Sequence, residues 1–441
     1  CNPDKMKRIL TLLIILFTYT NSQTLYFPPV TGSEWESVTP ASLGWNLAKI
    51  DSLYSFLDAS NTKAFLVLKD GKIVLEKYFD TFTRDSVWYW ASAGKSLTAF
   101  LVGIAKQEGK LRLDDTTSKY LGTGWTSLTP AQEAQIKIIN QLTMTSGLDD
   151  GVPDHYCTLP SCLIYKAPPG TRWAYHNGPY TLLDRVMQSA TGLTMNQFVA
   201  QKLRPFTGIG GIFWPSGYNN VFFSTPRNMA RYGLLILNKG KWVQTPVMTD
   251  TTYFREMTTT SNQLNKSYGY LWWLNGKETY MLPQTQFVFP GMLAPDAPPS
   301  MISALGKDGQ ILNVVPELNL ITVRMGDAPG TSSDVTPLYN NDTWKILREV
   351  INWSPTSVED EFEAPKATGL RLHPNPAVDM VVLSFPGLNS DTGVEVFSVL
   401  GERMPVTLSG NTIDLSGWPA GVYQVVIRSG GRVVSGKFVK Y

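Results

Sequence analysis

The chain has 441 residues, of which 43% are apolar and 17% are charged, and its formal net charge is +2. This length predicts two or three folding units, and the composition supplies enough apolar side chains for a large core, which excludes an intrinsically disordered chain. No run of Lys and Arg exceeds two residues, so the charge pattern excludes a typical nucleic-acid-binding protein.

Residues 1–23 have the composition of a secretory signal peptide with a few upstream residues. Basic side chains precede an apolar stretch at residues 9–19, and small or polar residues follow it, with Met6 as the expected start of translation. The apolar stretch is too short to span a bilayer comfortably, and no other stretch is long enough. We therefore predict an exported, soluble protein without a transmembrane segment.

The first predicted elements are an extended arm, a helix and a β-hairpin. Residues 24–45 are rich in Pro, Ser and Thr, and apolar residues at helical spacing follow over residues 50–57. Two apolar stretches, 64–69 and 73–78, flank Asp70-Gly71. An Asp-Gly pair predicts a tight hairpin turn, because both turn positions need a positive φ.

Ser92 and Lys95 lie at the start of the next predicted helix, which ends near Gly109. Residues three apart share a helix face, so Lys95 can reach back to the Ser92 hydroxyl. A serine hydroxyl is a weak nucleophile until a neighbouring base removes its proton. The pair predicts a nucleophilic serine, although Ser-x-x-Lys occurs by chance in many chains and Ser92 could instead cap the helix.

Helical and loop patterns dominate residues 110–240, and strand patterns dominate from residue 268 onward. The predicted helices and strands cover residues 136–147, 181–190, 227–237, 268–273, 311–315, 320–325 and 344–351. This order predicts an α+β domain over residues 24–354. It has an antiparallel sheet completed by both ends of the domain, flanking helices and an inserted helical subdomain.

The last part of the chain has a different pattern. Residues 355–367 are acidic and contain prolines, which predicts a linker. Beyond it, short alternating apolar stretches are separated by Gly, Pro, Asn and Ser. This pattern predicts a small all-β sandwich over residues 368–441.

Cys157 and Cys162 are close enough in the chain to form a disulfide in an oxidising compartment. Two alternatives are that both cysteines are reduced, or that they bind zinc together with His155 and His176. We predict the disulfide, and no metal or other cofactor.

The histidine count bears on the type of catalytic site. The chain has three histidines, at positions 155, 176 and 373, and the last lies in the predicted β-sandwich. A Ser-His-Asp triad would therefore need one of the first two. The nucleophile elbow Gly-x-Ser-x-Gly is missing, because Trp90 occupies its first glycine position. A lysine-based serine hydrolase fits the sequence better.

Three motifs resemble, in order and spacing, those of the serine β-lactamase and DD-peptidase superfamily. They are Ser92-Ala93-Gly94-Lys95, Tyr175-His176-Asn177 and Lys307-Asp308-Gly309. The Tyr-x-Asn motif is similar to that of the class C branch, which also contains esterases and oligoamide hydrolases. The resemblance covers residues 40–352. The third motif departs from Lys-Thr-Gly, which weighs against β-lactam turnover more than against hydrolysis.

The resemblance implies a catalytic role for each motif. Ser92 would form an acyl-enzyme, with either Lys95 or Tyr175 as its base. An unperturbed lysine has a pKa near 10.4, so Lys95 would need burial or a second cation such as Lys307 to become neutral. Asn177 would hold Lys95 or a substrate amide.

The resemblance further implies that Lys307 and Gly309 bind substrate, with Lys307 supplying positive potential. The oxyanion would be held by the backbone N–H groups of Ser92 and Gln310. Two structural alternatives remain: Tyr175 could be an ordinary half-buried tyrosine, and Lys-Asp-Gly could be only a common turn.

The C-terminal unit resembles the sorting domain of the type IX secretion system. The resemblance rests on 373–377, 394–397, 400–402, 421–423 and 437–440. It implies that the secretion machinery is a partner and that the protein is secreted or at the cell surface. The alternative is a carbohydrate-binding or spacer β-sandwich.

The sequence therefore predicts a secreted serine hydrolase that cleaves a small-molecule ester, amide or peptide. A β-lactamase or D-amino-acid peptidase would use the same site. A rival of a different class is an inactive protein that binds peptidoglycan fragments.

Overall fold

The structure is a computed structural model of the chain. It describes residues 25–330, 337–354, 370–375, 377–385, 392–398, 402–419, 421–429 and 432–440. The predicted signal peptide at 1–23 and the predicted linker at 355–367 lie outside the described residues.

The strands alternate with the helices of the α+β region and then continue alone into the C-terminal region. The strands before residue 330 are β1 (Thr62–Lys69), β2 (Lys72–Tyr78), β3 (Trp88–Tyr89), β4 (Ile212–Ser216), β5 (Asn219–Ser224), β6 (Lys241–Trp242), β7 (Thr245–Pro246), β8 (Trp273–Leu274), β9 (Thr279–Tyr280), β10 (Phe289–Pro290), β11 (Ile302–Gly306), β12 (Gln310–Val315) and β13 (Leu320–Gly326). The C-terminal strands are β14 (Arg371–His373), β15 (Met380–Ser384), β16 (Gly393–Ser398), β17 (Leu408–Ser409), β18 (Thr412–Asp414), β19 (Gly421–Ser429) and β20 (Arg432–Lys440).

The helices lie in the α+β region. They are α1 (Ile50–Ala59), α2 (Gly94–Gln107), α3 (Ser118–Leu121), α4 (Pro130–Glu133), α5 (Ile138–Leu142), α6 (Asn177–Thr181), α7 (Leu183–Thr191), α8 (Met195–Lys202), α9 (Arg204–Thr207), α10 (Pro226–Leu237), α11 (Thr251–Met257) and α12 (Pro337–Val350). Within the part of the chain that the structure describes, no helix has the length and apolar character needed to cross a membrane.

The main sheet has the strand order β2-β1-β13-β12-β11-β8, and each neighbouring pair is antiparallel. The start of the domain supplies β1 and β2, and its end supplies the other four strands. The predicted antiparallel sheet completed from both ends is therefore confirmed. The predicted hairpin is also present, since Asp70 and Gly71 have φ values of 52° and 84°.

Helices cover both faces of this sheet. Along β1, Ala64, Leu66 and Leu68 pack into the core on the side of α2 and α10, whereas Phe65 and Val67 pack on the side of α1 and α12. Successive side chains of a strand point to opposite faces, so a continuous apolar strand fits a sheet that is buried on both sides.

Two predicted elements differ from the structure. The helix expected to end at Gly147 ends at Leu142, because Met144 has a φ of 56° that a helix cannot accommodate. The strand expected over residues 268–273 is reduced to β8, because Leu271 has a φ of 60°. The sequence also failed to predict β11 and the small sheet β3-β5-β4, and both of these elements border the site described below.

The C-terminal strands form two antiparallel sheets, β14-β15-β18-β17 and β16-β19-β20. Their inner faces share one apolar core, which includes Val381, Ile413, Val425 and Phe438. The predicted small all-β sandwich is therefore confirmed.

Candidate active site

Ser92 lies where the chain turns from β3 into α2. Trp90 is fully buried, and its backbone N–H donates to the carbonyl of Phe222 at 2.8 Å. Ala91 has a φ of 46°, a conformation that costs a residue with a side chain about 1–2 kcal/mol. Ala91–Ala93 form a single 3-10 turn before α2 begins. Ser92 therefore directly follows a strained residue, as is common at functional sites.

Lys95 is held between Ser92 and Asn177. Its Nζ donates to Ser92 Oγ at 2.9 Å and to Asn177 Oδ1 at 2.7 Å. The residue is only 4% exposed, and its Nζ lies 4.3 Å from the ring centroid of Tyr180 and 5.1 Å from that of Tyr175. The first turn of α2 and the start of α6 thus meet at one lysine, whose amine points at the predicted nucleophile.

Tyr175 reaches this lysine from the extended segment before α6. It is 2% exposed, its ring stacks on Trp273 at 5.8 Å, and it meets Tyr268 edge-on at 6.3 Å. Asn177, two residues further along the chain, is the first residue of α6, and its Oδ1 accepts from the same Lys95 amine. The structure therefore brings the first two predicted motifs together.

His176 lies between these two residues and is buried away from water. Neither of its ring nitrogens has a hydrogen-bond partner among the described residues. Burial lowers its pKa to about 4, although Asp150 acts in the opposite direction. The histidine is therefore neutral at pH 7, and the described hydrogen bond to Ser92 Oγ comes from Lys95 rather than from an imidazole. This geometry does not match a Ser-His-Asp triad.

The third predicted motif is a turn. Lys307–Gly309 connect β11 to β12, and Asp308 and Gly309 have φ values of 60° and 70°. The backbone N–H of Gln310 donates to the carbonyl of Lys307 inside this turn. That N–H is therefore committed to the turn and is not available to an oxyanion, contrary to the role predicted for it.

Gly309 and the Gln310 side chain are also hydrogen-bonded to the neighbouring strand β13. The carbonyl of Gly309 accepts from Arg324 Nη1 at 3.0 Å. The Gln310 side chain donates to the carbonyl of Gly326 at 2.6 Å and accepts from its N–H at 3.1 Å. Gly309 is not among the cleft-lining residues, so its predicted contact with substrate is not supported. The turn alternative fits Asp308 and Gly309, because an Asp-Gly pair accepts two positive φ values.

Gly306, the last residue of β11, is the residue that approaches Ser92. A Cβ added to Gly306 would lie 2.5 Å from the carbonyl oxygen of Trp90, 2.9 Å from the N of Ala93 and 3.1 Å from the N of Ser92. Only a glycine allows β11 to come this close to the nucleophile turn. The apolar stretch 302–306 before Lys-Asp-Gly was the sequence pattern that could have identified this strand.

An open cleft of about 420 Å³ contains the nucleophile. Its lining joins catalytic candidates with aromatic and polar side chains: Tyr89, Ala91, Ser92, Lys95, Tyr156, Asn177, Tyr180, Ser216, Asn219, Asn220, Val221, Phe223 and Lys307. A cleft of this size suits a small-molecule substrate.

A disulfide shapes the loop beside this cleft. Cys157 and Cys162 are bonded, as predicted, so they do not act as zinc ligands. The loop contacts α6 through Gly178, whose N–H donates to the carbonyl of His155 at 2.9 Å. Within the described ranges, no cluster of three or more His, Cys, Asp or Glu side chains is arranged to hold a metal ion.

Comparison with known proteins assigns both regions of the chain. Residues 59–339 match the family model described as "Beta-lactamase", and residues 371–441 match "Secretion system C-terminal sorting domain". The second match makes this a secreted or cell-surface protein, and it supports the type IX assignment.

The chain is also similar to individual proteins. It is 24% identical over 314 residues to an uncharacterised protein of Alkalihalophilus pseudofirmus, a match that covers 62% of this chain and 86% of that protein. A solved structure from Bacillus anthracis, named as a proposed 6-aminohexanoate-dimer hydrolase, is 18% identical with a TM-score of 0.55 and covers 74% of this chain and 91% of its own.

The octameric penicillin-binding protein homologue from Pyrococcus abyssi is 14% identical to the chain, with a TM-score of 0.52. That match covers 89% of this chain and 95% of the homologue. At these identities the two solved structures show a shared fold. Because the family match spans more than half of the chain and the neighbouring structures share its architecture, this secreted protein belongs to the beta-lactamase family of hydrolases.

Proposed function

We propose that the protein is a serine hydrolase of the class C β-lactamase type that cleaves an ester or amide through an acyl-enzyme on Ser92. The observation that carries this proposal is the position of Lys95 Nζ, within hydrogen-bond distance of both Ser92 Oγ and Asn177 Oδ1. A buried amine aimed at a serine hydroxyl is the arrangement that activates such a nucleophile.

In the first half of the reaction, the Ser92 Oγ–H proton passes to a base while Oγ attacks the substrate carbonyl carbon. Lys95 accepts this proton only in its neutral form, and Tyr175 accepts it only as a phenolate. Asn177 holds the Lys95 amine in line with the hydroxyl. The proton then passes to the leaving alcohol or amine, and the acyl group stays on Ser92.

In the second half, the same base takes a proton from water while the water oxygen attacks the acyl carbonyl. The bond to Ser92 Oγ then breaks, Oγ takes the proton back from the base, and the acid is released. Both halves pass through a tetrahedral oxyanion, which needs two hydrogen-bond donors. We assign these donors to the backbone N–H groups of Ser92 and Lys307. Support for Lys307 is its place in the cleft lining and its position directly after Gly306, where an added Cβ would lie 3.1 Å from the N of Ser92.

The Lys307 side chain has a second role in this proposal, which is to add positive potential on the cleft side of the turn. It would favour substrates that carry a carboxylate near the scissile bond. Removing the side chain leaves the backbone N–H in place, so the two roles of Lys307 are separable by mutation.

The test is a substrate panel of a chromogenic short-chain ester, a chromogenic cephalosporin and a D-Ala-D-Ala peptide. We expect the wild type to hydrolyse the ester and to form a covalent adduct with a fluorophosphonate probe. Ser92→Ala should do neither. Dominant turnover of the cephalosporin or the peptide would instead assign the site to a β-lactamase or a D-amino-acid peptidase.

The inactive-binder alternative has a distinct outcome. A wild type that hydrolyses no substrate in the panel, takes up no fluorophosphonate or penicillin label, and still binds peptidoglycan fragments would contradict the hydrolase proposal. Secretion is tested separately by deleting residues 368–441. We expect the truncated protein to stay in the periplasm, and undisturbed secretion would contradict the proposed dependence on this domain.

A further inference from the structure

One wall of the cleft continues outward as an apolar surface. In the small sheet β3-β5-β4, Tyr89 pairs with Phe223, and Phe223 pairs with Ile212. Strands β4 and β5 form a hairpin, and within it Trp214 also pairs with Val221. Directly opposed residues of an antiparallel pair point to the same face, so these five side chains share one face of the sheet.

This shared face is the cleft face. Tyr89, Phe223 and Val221 line the cleft beside Ser92. Ile212 and Trp214 lie on β4, the strand farthest from β3 in this small sheet, and are not among the lining residues. Since neighbouring strands are about 4.8 Å apart, the surface extends about 10 Å from β3 to β4.

The opposite face of the hairpin fixes its orientation. Phe213 and Phe222 are buried, their ring centroids lie 4.9 Å apart, and Phe222 packs edge-on against Trp90 at 5.0 Å. Because side chains alternate along a strand, burial of these two rings forces Ile212 and Trp214 outward. The hairpin cannot turn them into the core without a register slip that would expose the phenylalanines.

The outward side chains are unusually apolar for a solvent-facing strand. Ile212 is 44% exposed and Trp214 is 60% exposed, whereas an antiparallel sheet normally presents polar residues to water. A contiguous apolar surface that begins at a reactive serine is typical of a substrate-binding region.

We propose that this surface, formed by Tyr89, Phe223, Val221, Ile212 and Trp214, binds an apolar arm of the substrate about 10 Å long. This inference rests on the proposed hydrolase function, and it specifies the substrate class as esters or amides with a long aliphatic or aromatic arm. The occupant is assigned to the substrate because the surface is continuous with the cleft that contains Ser92.

The test compares kcat/KM for two series of esters, one with the long chain on the acyl side and one with it on the alcohol side. Each series pairs a short ester with an octanoyl or octyl counterpart. We expect the wild type to prefer the long ester in one series. Trp214→Ser should lower kcat/KM for that ester about tenfold, equivalent to about 1.4 kcal/mol, mainly through KM. Hydrolysis of the short ester should change less than about twofold.

Leu47→Ser is the matched control, because Leu47 is an apolar residue of similar exposure, 52%, outside the cleft lining. It should leave both esters unaffected, and Trp214→Phe should restore most of the long-chain preference. Equal wild-type kcat/KM for short and long esters in both series would overturn the subsite while leaving the hydrolase proposal intact. Equal losses for both esters in Trp214→Ser would do the same.

A binding measurement separates the subsite from turnover. Octanoic acid and octanol should bind the Ser92→Ala protein, as measured by calorimetry, and at least one of them should bind about tenfold more weakly when Trp214→Ser is added. If the wild type hydrolyses no ester but this difference is found, the subsite stands and the proposed reaction fails. If neither ligand distinguishes the two proteins, the subsite is wrong.

Discussion

The two walls of the cleft are built differently. On one wall, Ser92, Lys95, Asn177 and Gly306 come from three separated parts of the chain and are fixed by hydrogen bonds and close backbone contacts. On the other wall, the β4–β5 hairpin presents apolar side chains toward the cleft side, and two of them, Ile212 and Trp214, are 44% and 60% exposed. We therefore expect substitutions on the first wall to reduce activity on every substrate, and substitutions on the second wall to change mainly which substrate is preferred.

The largest effect is expected at Lys95. Lys95→Ala removes the amine that contacts both Ser92 and Asn177, so kcat should fall by about 10²–10⁴. Steady-state hydrolysis of the short ester measures this loss. Lys106→Ala is the control, because Lys106 lies on the same helix but pairs with Asp250 at the surface; it should retain nearly full activity. A Lys95 variant with wild-type kcat would contradict the assigned mechanism.

The next largest loss of activity is expected at Gly306, where the first wall depends on a close approach between two backbone segments. Gly306→Ala places a Cβ 2.5 Å from the Trp90 carbonyl, so β11 must move away from Ser92. If Lys307 supplies the second oxyanion donor, kcat should fall by about 10²–10³.

Gly210→Ala is the matched control for Gly306→Ala. A Cβ at Gly210 has no neighbour closer than 3.7 Å, so this variant should keep its activity. Thermal unfolding of both variants shows whether the Gly306 protein still folds. A folded Gly306→Ala protein with full activity would remove Lys307 from the oxyanion role.

The third prediction concerns how the stability of the protein depends on pH through His176, the residue between Tyr175 and Asn177. Burial holds the pKa of His176 at about 4, below its ordinary value of 6.5. Between these values the unfolded chain binds more protons than the folded one, so His176 makes the free energy of unfolding decrease as pH falls from 6.5 to 4. The contribution is at most about 3 kcal/mol.

Asp184 acts in the opposite direction, since burial raises its pKa to about 7 and favours the folded state at low pH. The measurement is therefore the difference between the wild type and His176→Ala in urea unfolding at several pH values. That difference should shrink as pH falls from 6.5 to 4. His373→Gln, at an exposed position, is the control and should keep the wild-type profile. A constant difference would show that His176 is not buried in its neutral form.

The smallest effect is expected at Ala91, where the strain of the nucleophile turn lies. Ala91→Gly relieves a φ of 46° and should stabilise the protein by up to about 1 kcal/mol. Ala93→Gly is matched in chemistry but has a helical φ of −60°, so it should destabilise by about 0.5–1 kcal/mol. Denaturant unfolding measures both values. Equal destabilisation by the two substitutions would mean that Ala91 is not strained.

Local sequence rules predicted the first wall in part. Ser92 lies in the 3-10 turn directly before α2, Lys95 lies in the first turn of α2, and Asn177 begins α6 two residues after Tyr175. Such spacings determine which side chains can point in the same direction, without reference to the rest of the fold. The hairpin at Asp70-Gly71 and the alternation along β1 were predictable for the same reason.

The turn geometry does not support the roles predicted for Gly309 and Gln310, because two local patterns overlap. Lys307–Gly309 matches a catalytic motif in order, yet Asp308 and Gly309 also favour a turn with two positive φ values, and the turn prevails. The residue that reaches Ser92 is Gly306, at the end of a short strand that the sequence analysis did not identify.

The sequence by itself determined four strands of the main sheet (β1, β2, β12 and β13), the Ser-Lys and Tyr-x-Asn pairs, the disulfide and the C-terminal sandwich, because each depends on residues close together in the chain. Only the tertiary structure decided that β11 packs against the Ser92 turn, and that Ile212 and Trp214 face outward beside the cleft. Both depend on pairing between distant segments, whose free energy comes from packing and burial that no local pattern encodes.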